Sequence, residues 1–322
     1  MSAAEKENKK IIIIDSNSVI HRAYHALPPL RRKSGELVNA VYGFLLVFFK
    51  AIKDFHPNFI AATFDFPAPT FRHKRYKDYK AKRPPAPEDL YSQIPKVKEF
   101  LDSFKVSVFE KEGFEADDII GTIAKASQRQ QVLPKIEVVI LSGDMDALQL
   151  VDGQTKVCVL KKGVKDVVLY DEKQVMEKFQ GLTPKQILDF KSLRGDPSDN
   201  IPGVTGVGEK TAISLLLSFD SLDELYKEIE NKTKKSESVK PKLRDTLVRY
   251  KEQALISREL AKIEINVPMD FNIKNCEWTD YDKGEVARLL ESFEFYSLIK
   301  KLPDPSGKKE RKEYVGENLK LW

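Results

Sequence analysis

Cysteine is nearly absent: 322 residues hold two, Cys158 and Cys276, neither in a CxxC pair. That excludes a disulfide framework and a thiolate zinc site, and it suits a reducing cytosol. Histidine is scarce too, four in all, with none spaced as metal ligands. Long apolar runs are missing. Ile11 to Ile14 is too short for a secretory core or a membrane span, and it follows a polar, charged Met1 to Lys10. No repeat of solenoid type occurs, no composition of disorder or collagen, and no Ser/His/Asp or Cys/His signature of covalent catalysis. The expected location is the cytoplasm, with no membrane partner.

What is present is ordinary in bulk and uneven in detail. Hydrophobic residues make up 41% and charged residues 32%, as in soluble globular proteins. The length exceeds what one core usually serves, so two packed units, or one domain with a large helical extension, are expected. Net charge is only +5, from 54 basic and 49 acidic residues, a mild bias toward polyanions. The two signs are segregated, however. Basic residues crowd into runs such as Phe71-Arg72-His73-Lys74-Arg75-Tyr76-Lys77, and a set of acids falls at strand ends.

Ile11 to Ile14 reads as a buried strand ending on Asp15, and Phe59 to Phe64 as a second strand leading into Asp65, with a helix from Val38 to Phe55 between them. Pro67 to Pro87 is basic, aromatic and proline-punctuated, a mobile or arching segment. A helix from Pro87 to Phe104, a strand from Val106 to Phe109, a helix from Glu115 to Arg129 and a strand from Ile136 to Leu141 complete an alternation that predicts a mainly parallel α/β sheet. Ligands of such sheets bind beyond the strands' carboxyl ends. After about Asp171 helices dominate: Thr183 to Leu193, Gly208 to Phe219, Ser221 to Ile229 and Ser238 to Leu260, with a lysine-rich loop at Asn231 to Ser238. The organisation predicted is a disordered 1–9, an α/β core at 10–175 with an arch at 67–95, a helical unit at 176–300, and a charged tail at 301–322 in which Tyr314, Leu319 and Trp322 could dock.

Five acidic elements stand out: Asp15, Asp65, Glu115-Ala116-Asp117-Asp118, Asp144-Met145-Asp146, and Asp196-Pro197-Ser198-Asp199. Each alone is explained by helix capping or by a turn after a strand. Gathered at one sheet edge, they would raise one another's pKa, and only bound cations make such a cluster favourable. The donors are all oxygens, so Mg²⁺ or Mn²⁺ is implied, naturally as two ions. A two-metal site activates water and stabilises the leaving oxygen during displacement at phosphorus. No protein nucleophile is then needed.

Closely following Asp65, the stretch from Phe71 to Pro85 can hang over that centre. Lys80 and Arg83 would hold the scissile phosphate from one face if the segment becomes helical, and Tyr79 would stack on a base. Arg22, seven residues beyond Asp15, is a weaker phosphate contact. Asn200-Ile201-Pro202-Gly203-Val204-Thr205-Gly206-Val207-Gly208-Glu209-Lys210-Thr211-Ala212 resembles the helix-hairpin-helix motif, in which amides at the second helix's start hold a DNA phosphate without reading sequence. Its candidate contacts are Gly203, Gly206, Gly208, Lys210 and Thr211. Families that use it also hold K⁺ on hairpin carbonyls.

Taken together, IIIIDSNSVIHRAYHAL, VYGF, FD at Asp65, FRH with YKAKRPPAPEDL, GFEADD, SGDMD, GDPSDNIPGV and GVGEKTA resemble the 5′ nuclease domain of bacterial DNA polymerase I, of the flap endonuclease family, over about residues 10 to 300. The resemblance implies a PIN-like core with a helical arch bearing Arg72, Tyr79, Lys80 and Arg83. It also implies nine metal ligands: Asp15, Asp65, Glu115 and Asp117 mainly at one ion, Asp144, Asp146 and Asp199 at the other, with Asp118 and Asp196 contributing directly or through water. The activity implied is 5′-3′ exonuclease and flap endonuclease cleavage of DNA in primer removal and repair, by a monomer in the bacterial nucleoid. The substrates expected are 5′ flaps, nicks and 5′ overhangs. No polymerase region follows before Trp322, so the chain is expected either to act alone, with a polymerase as partner, or to be a fragment. Two alternatives remain: a ribonuclease on a PIN-like core, and a noncatalytic junction-binding module.

Overall fold

The computed structural model describes residues 9–129, 135–161, 163 and 166–304. Of the segment 1–9 expected to be disordered, Lys9 already opens the first strand; the rest lies outside the described residues, as do Tyr314, Leu319 and Trp322. Six strands, β1 (Lys9–Asp15), β2 (Phe59–Thr63), β3 (Ser107–Phe109), β4 (Ile136–Ser142), β5 (Thr155–Leu160) and β6 (Val167–Tyr170), form one sheet in the order β3-β2-β1-β4-β5-β6. All pairings are parallel except β5 with β6. Helices cover both faces, as parallel strands require. The chain moves outward from β1 to β2 and β3 on one side and returns to β4 on the other. The β1/β4 boundary is therefore the topological switch point, where open α/β sheets place their ligands.

The strand pattern explains why β1 is isoleucine throughout. Ile12 and Ile14 face a core containing Phe44, Phe48, Phe100, Phe104 and Trp278, while Ile11 and Ile13 face one built on Ile119, Ile120, Ile123, Val138 and Ile140. A strand buried on both faces has no polar side to show. Two strands, β5 and β6, lie in a stretch for which no element is predicted from the sequence.

Other departures have local causes. The sequence predicts one helix from Pro87 to Phe104; the chain forms two, Glu88–Tyr91 and Ile94–Ser103. Pro95 has no N–H for the Tyr91 carbonyl, and its ring crowds that carbonyl. At the break, Gln93 is fully buried and its Oε1 accepts from the amides of Ala40 (2.8 Å) and Val41 (3.3 Å), capping the helix Asn39–Phe55. The arch expected at 67–95 is not helical over Lys80 and Arg83. After the helix Phe71–Arg75, residues 77–83 make successive turns, with Lys80 at φ +56°.

The helical unit has its own core of Leu182, Phe190, Leu193, Val204, Val207, Phe219 and Leu225. It holds the helices Ile187–Arg194, Glu209–Phe219, Leu222–Glu230, Pro241–Arg249 and Lys251–Ala261. The predicted unit at 176–300 ends earlier than expected. From Ile263 the chain returns to the sheet: Ile263, Ile273 and Cys276 join one core, and Trp278, Leu290, Phe293 and Leu298 join the other. Trp278 also donates its amide to the Asn58 carbonyl at 2.8 Å. The predicted tail begins folded as well, since Tyr281 donates its hydroxyl to the Pro303 carbonyl at 2.7 Å. Among the described residues no helix is long and apolar enough to cross a membrane.

Candidate metal centre

β1 ends on Asp15 because the next helix, Ser16–Ala26, starts there and Asp15 caps it, Oδ1 accepting from the Ser18 amide at 3.1 Å. Its other oxygen accepts from Ser142 Oγ, 2.6 Å away at the end of β4. Burial outweighs these bonds and lifts the Asp15 carboxyl to about 6. Asp65 follows β2, and its Oδ1 accepts from the Ala116 amide at 2.8 Å, which places Asp65 against the first turn of the helix Ala116–Arg129. Although much of the Asp65 residue surface is open, its carboxyl sits deep enough that desolvation raises its pKa. Asp117 lies in that first turn. Burial, then the charges of Asp15, Asp144 and Asp146, push it well above the carboxylate range. Asp144 follows β4 and accepts from the Asp146 amide at 2.9 Å. Burial and the Asp144 charge raise Asp146 to about 7 against the pull of Lys191.

Asp15, Asp65, Glu115, Asp117, Asp144 and Asp199 line one cleft of 360 Å³ at the switch point, together with Lys80, Arg83, Arg22, His21 and His25. Lys80 reaches 2.7 Å from Glu115 Oε1 and 4.0 Å from Asp199 Oδ2, and Arg83 pairs with Asp199. The turn that carries them is pinned to the helical unit, for the Lys80 amide donates to the Asp199 carbonyl at 2.9 Å and Asn200 Nδ2 donates to the Asp78 carbonyl at 2.7 Å. Asp146 and Asp196 meet at Lys191, which pairs with both, at 2.8 Å in the case of Asp196. Burial alone would raise Asp196; Lys191 and Ser198 bring it down to about 2.

The sequence matches the family described as 5′-3′ exonuclease, N-terminal resolvase-like domain, over residues 10–180, and the 5′-3′ exonuclease C-terminal SAM fold over residues 182–284. The chain belongs to the 5′-3′ exonuclease family. DNA polymerase I of Bacillus subtilis is 41% identical over 305 residues, covering 95% of this chain and 33% of that protein. The corresponding enzyme of Mycobacterium bovis is 36% identical over 307 residues, again with 33% covered. The chain thus spans about a third of the length of these relatives. Among solved structures, the bacteriophage T5 D15 flap endonuclease in a complex with DNA and metal ions matches with TM-score 0.64 at 16% identity, over 91% of this chain and 98% of that one. The catalytic core of Rad2 in complex with DNA substrate matches with TM-score 0.58 at 17% identity, over 94% and 95%. Metal ions are part of several T5 structures of this fold, divalent zinc in one of them.

The residues at this cleft fit divalent cations chemically. The donors are all oxygens, and burial, reinforced by repulsion from neighbouring carboxylates, raises Asp15, Asp117 and Asp146, a cost that a hard cation removes. Among the described residues no three acidic, histidine or cysteine side chains already form a closed ion cage. Lys80, Arg83 and Lys191 instead neutralise Glu115, Asp199, Asp146 and Asp196.

Four predicted roles are corrected by this geometry. Asp118 is fully buried and saturated: Arg72 grips both oxygens at 2.7 Å, and the amides of Glu115 (3.0 Å) and Glu264 (2.8 Å) also donate to it. No ligand position is left for a metal. Arg72 is for the same reason no phosphate handle; it is 2% exposed and also donates to the carbonyls of Leu260 and Lys262. Tyr79 is 3% exposed, its hydroxyl 3.1 Å from Glu115 Oε2 and 3.2 Å from Asp199 Oδ2, so it positions two acids and offers no face to a base. Gly203 is buried with its amide on Ser257 Oγ (3.0 Å) and its carbonyl on Gln253 Nε2 (2.5 Å), closed to DNA.

The remaining hairpin residues are open. Gly206 and Gly208 are exposed, Gly208 precedes the helix Glu209–Phe219, and Lys210 and Thr211 stand in its first turn. Intrahelical bonding begins only at the Ala212 amide, so the amides before it are available to an anion. Arg22 donates to the Gly143 carbonyl at 3.0 Å, which fixes the loop bearing Asp144 while its side chain lines the cleft. Sequence reasoning missed Ser142, His21 and above all Lys191. A lone lysine five residues before Asp196 carries no signal until the fold brings Asp146 to it.

Proposed function

We propose that this chain is a divalent-metal-dependent, structure-specific nuclease that hydrolyses DNA phosphodiesters at 5′ flaps and 5′ ends, leaving a 5′ phosphate and a 3′ hydroxyl, in primer removal and repair. The observation that carries it is the convergence of Asp15, Asp65, Asp117 and Asp144 on one cleft at the β1/β4 switch point, beneath Lys80 and Arg83. Asp15, Asp65, Glu115 and Asp117 would hold one Mg²⁺ or Mn²⁺, and Asp144, Asp146 and Asp199 the second, with Asp196 behind them. Bound there, the ions supply an activated water and charge neutralisation at the leaving oxygen. The chain's own contribution is placement. Lys80 and Arg83, resting on Glu115 and Asp199, would turn to the scissile phosphate were those carboxylates engaged as ligands. The turns from Asp78 to Arg83 bring Lys80 and Arg83 to the cleft wall. The exposed hairpin glycines Gly206 and Gly208 and the first-turn amides that follow would anchor duplex, and the hairpin carbonyls would hold K⁺. A polymerase, in the same chain or as a partner, would extend the upstream strand whose 3′ end abuts the flap, in the cytoplasm at the nucleoid.

The test is cleavage of a labelled 5′-flap substrate with Mg²⁺, beside a matched flap made wholly of RNA. Asp144→Ala should abolish DNA cleavage while largely sparing binding in the absence of Mg²⁺, and omission of Mg²⁺ should silence the unaltered protein. Turnover by Asp144→Ala, or a marked preference for the RNA flap, would overturn this reading.

A further inference from the structure

A second cavity, of 250 Å³, is lined by Asp146 and Asp196 and also by Glu209, the first residue of the hairpin helix. Its cations differ in kind. Lys191 is spent on Asp146 and Asp196. Lys178 and Arg194 line the same cavity, are exposed, and have no carboxylate within ion-pair distance among the described residues; each only overlies a ring, Lys178 that of Phe179 and Arg194 that of Phe190, both at 5.7 Å. Arg194 follows Lys191 by three residues on the helix Ile187–Arg194, so the two share a face. The Lys191 ammonium reaches the acids, while the Arg194 guanidinium lies over the Phe190 ring in the cavity's lining. Lys178 closes the helix Glu172–Lys178 and stands at the same cavity.

We infer that this cavity seats a backbone phosphodiester of the duplex DNA running between the metal centre and the hairpin, held by Arg194 and Lys178. This rests on the function proposed above. Three features select a phosphodiester over a small metabolite. Two unneutralised cations face a cavity with aromatic walls; the cavity lies between the acids assigned to the second metal and the first turn of the hairpin helix; and a continuous strand anchored at both must pass beside it. Arg194 can fork onto two phosphate oxygens, while Lys178 supplies a point charge. Glu209 is the one wall acid without an ion-pair partner among the described residues, and it opposes the phosphate, which gives the site a sign that mutation can read.

The experiment is anisotropy of a labelled 5′-flap duplex without divalent metal, from 50 to 300 mM KCl, on the full chain and its variants. Replacing both Arg194 and Lys178 with Gln should weaken binding at the lowest salt about tenfold and flatten the plot of log affinity against log salt by about 0.9 for each phosphate no longer neutralised. Arg194→Lys should retain most of the slope, and Glu209→Gln should tighten binding. A single-stranded oligonucleotide should bind the double variant and the unaltered protein alike. An unchanged slope on the flap duplex with an unchanged melting temperature overturns the inference, as does weaker binding by Glu209→Gln. Should the unaltered protein bind the duplex but fail to cleave it when Mg²⁺ is added, the cleavage reading falls while the slope comparison still decides this cavity.

Discussion

Arg72 and Lys80 lie eight residues apart in one basic run, and the fold gives them opposite work. Arg72 is buried with Asp118 and two backbone carbonyls; Lys80 keeps a partly open ammonium over Glu115. Removing Arg72 leaves Asp118 charged in a site of zero exposure, which costs on the order of 3–5 kcal/mol. Arg72→Leu should therefore lower the denaturation midpoint strongly, and Arg72→Lys should not rescue it, because an ammonium cannot reproduce the fork to Asp118 together with the Nε bond to Leu260. Lys80→Ala should melt close to the unaltered protein, while turnover on a saturating 5′ flap falls about 10²–10³-fold, the scale for losing one preorganised charge-stabilising donor. Normal turnover by Lys80→Ala would remove that lysine from the mechanism. Both residues are equally visible as basic positions in sequence. What separates them is a partner 46 positions away in the case of Arg72, a contact that spacing within the run does not encode.

At the scale of elements, the acid loop and the hairpin are one unit through a glycine contact. Gly195 (φ +77°) and Gly203 (φ +63°) face each other so closely that a Cβ on Gly203 would stand 2.2 Å from the Gly195 amide nitrogen. The loop between them carries Asp196 and Asp199, so the hairpin glycines that sequence reasoning assigned wholly to DNA divide into two jobs. Gly203→Ala has backbone on all sides and should belong to the severe tail of destabilisation, with loss of cleavage because Asp199 shifts. Gly206 (φ +83°) has nothing within 4 Å of a Cβ. Gly206→Ala should cost only the left-handed penalty of about 1–2 kcal/mol and act mainly on DNA affinity. Comparing melting temperature and flap binding for the two variants separates these roles; equal stability loss in both would contradict the division. The motif order made the hairpin legible. The strand-to-acid rule likewise located Asp15, Asp65 and Asp144, because β-branched runs ending in Asp record a parallel sheet's carboxyl edge directly. The arch was not legible as turns, since its conformation is set by contacts to Asp199 and Asn200 rather than by its own propensity.

For the whole molecule, the sheet and the helical unit meet through charge at the cleft, and stability should register it. Asp15 is raised to about 6 and Asp146 to about 7 in the folded chain, from 3.8. Between pH 4 and pH 7 the folded state thus holds protons that the unfolded state has released, so stability falls as pH rises through this window and levels off above it. For Asp15 alone the swing is roughly 3 kcal/mol, from about 1.4 kcal/mol per pKa unit. His21, lowered by burial and by His25 and Arg83, works in the opposite direction below pH 6.5 but contributes one group against several acids. Asp196, held down to about 2, changes the balance only below pH 4, where stability is lost as pH falls. In chelator the melting temperature should drop by several degrees between pH 5 and pH 8. Added Mg²⁺ should raise it far more at pH 8 than at pH 5, because a cation binding the ionised cluster need not displace protons first. Calorimetry with and without Mg²⁺ at the two pH values reads this directly, and a Mg²⁺ stabilisation that is the same at both would mean that the raised acids are not the ones that meet the metal.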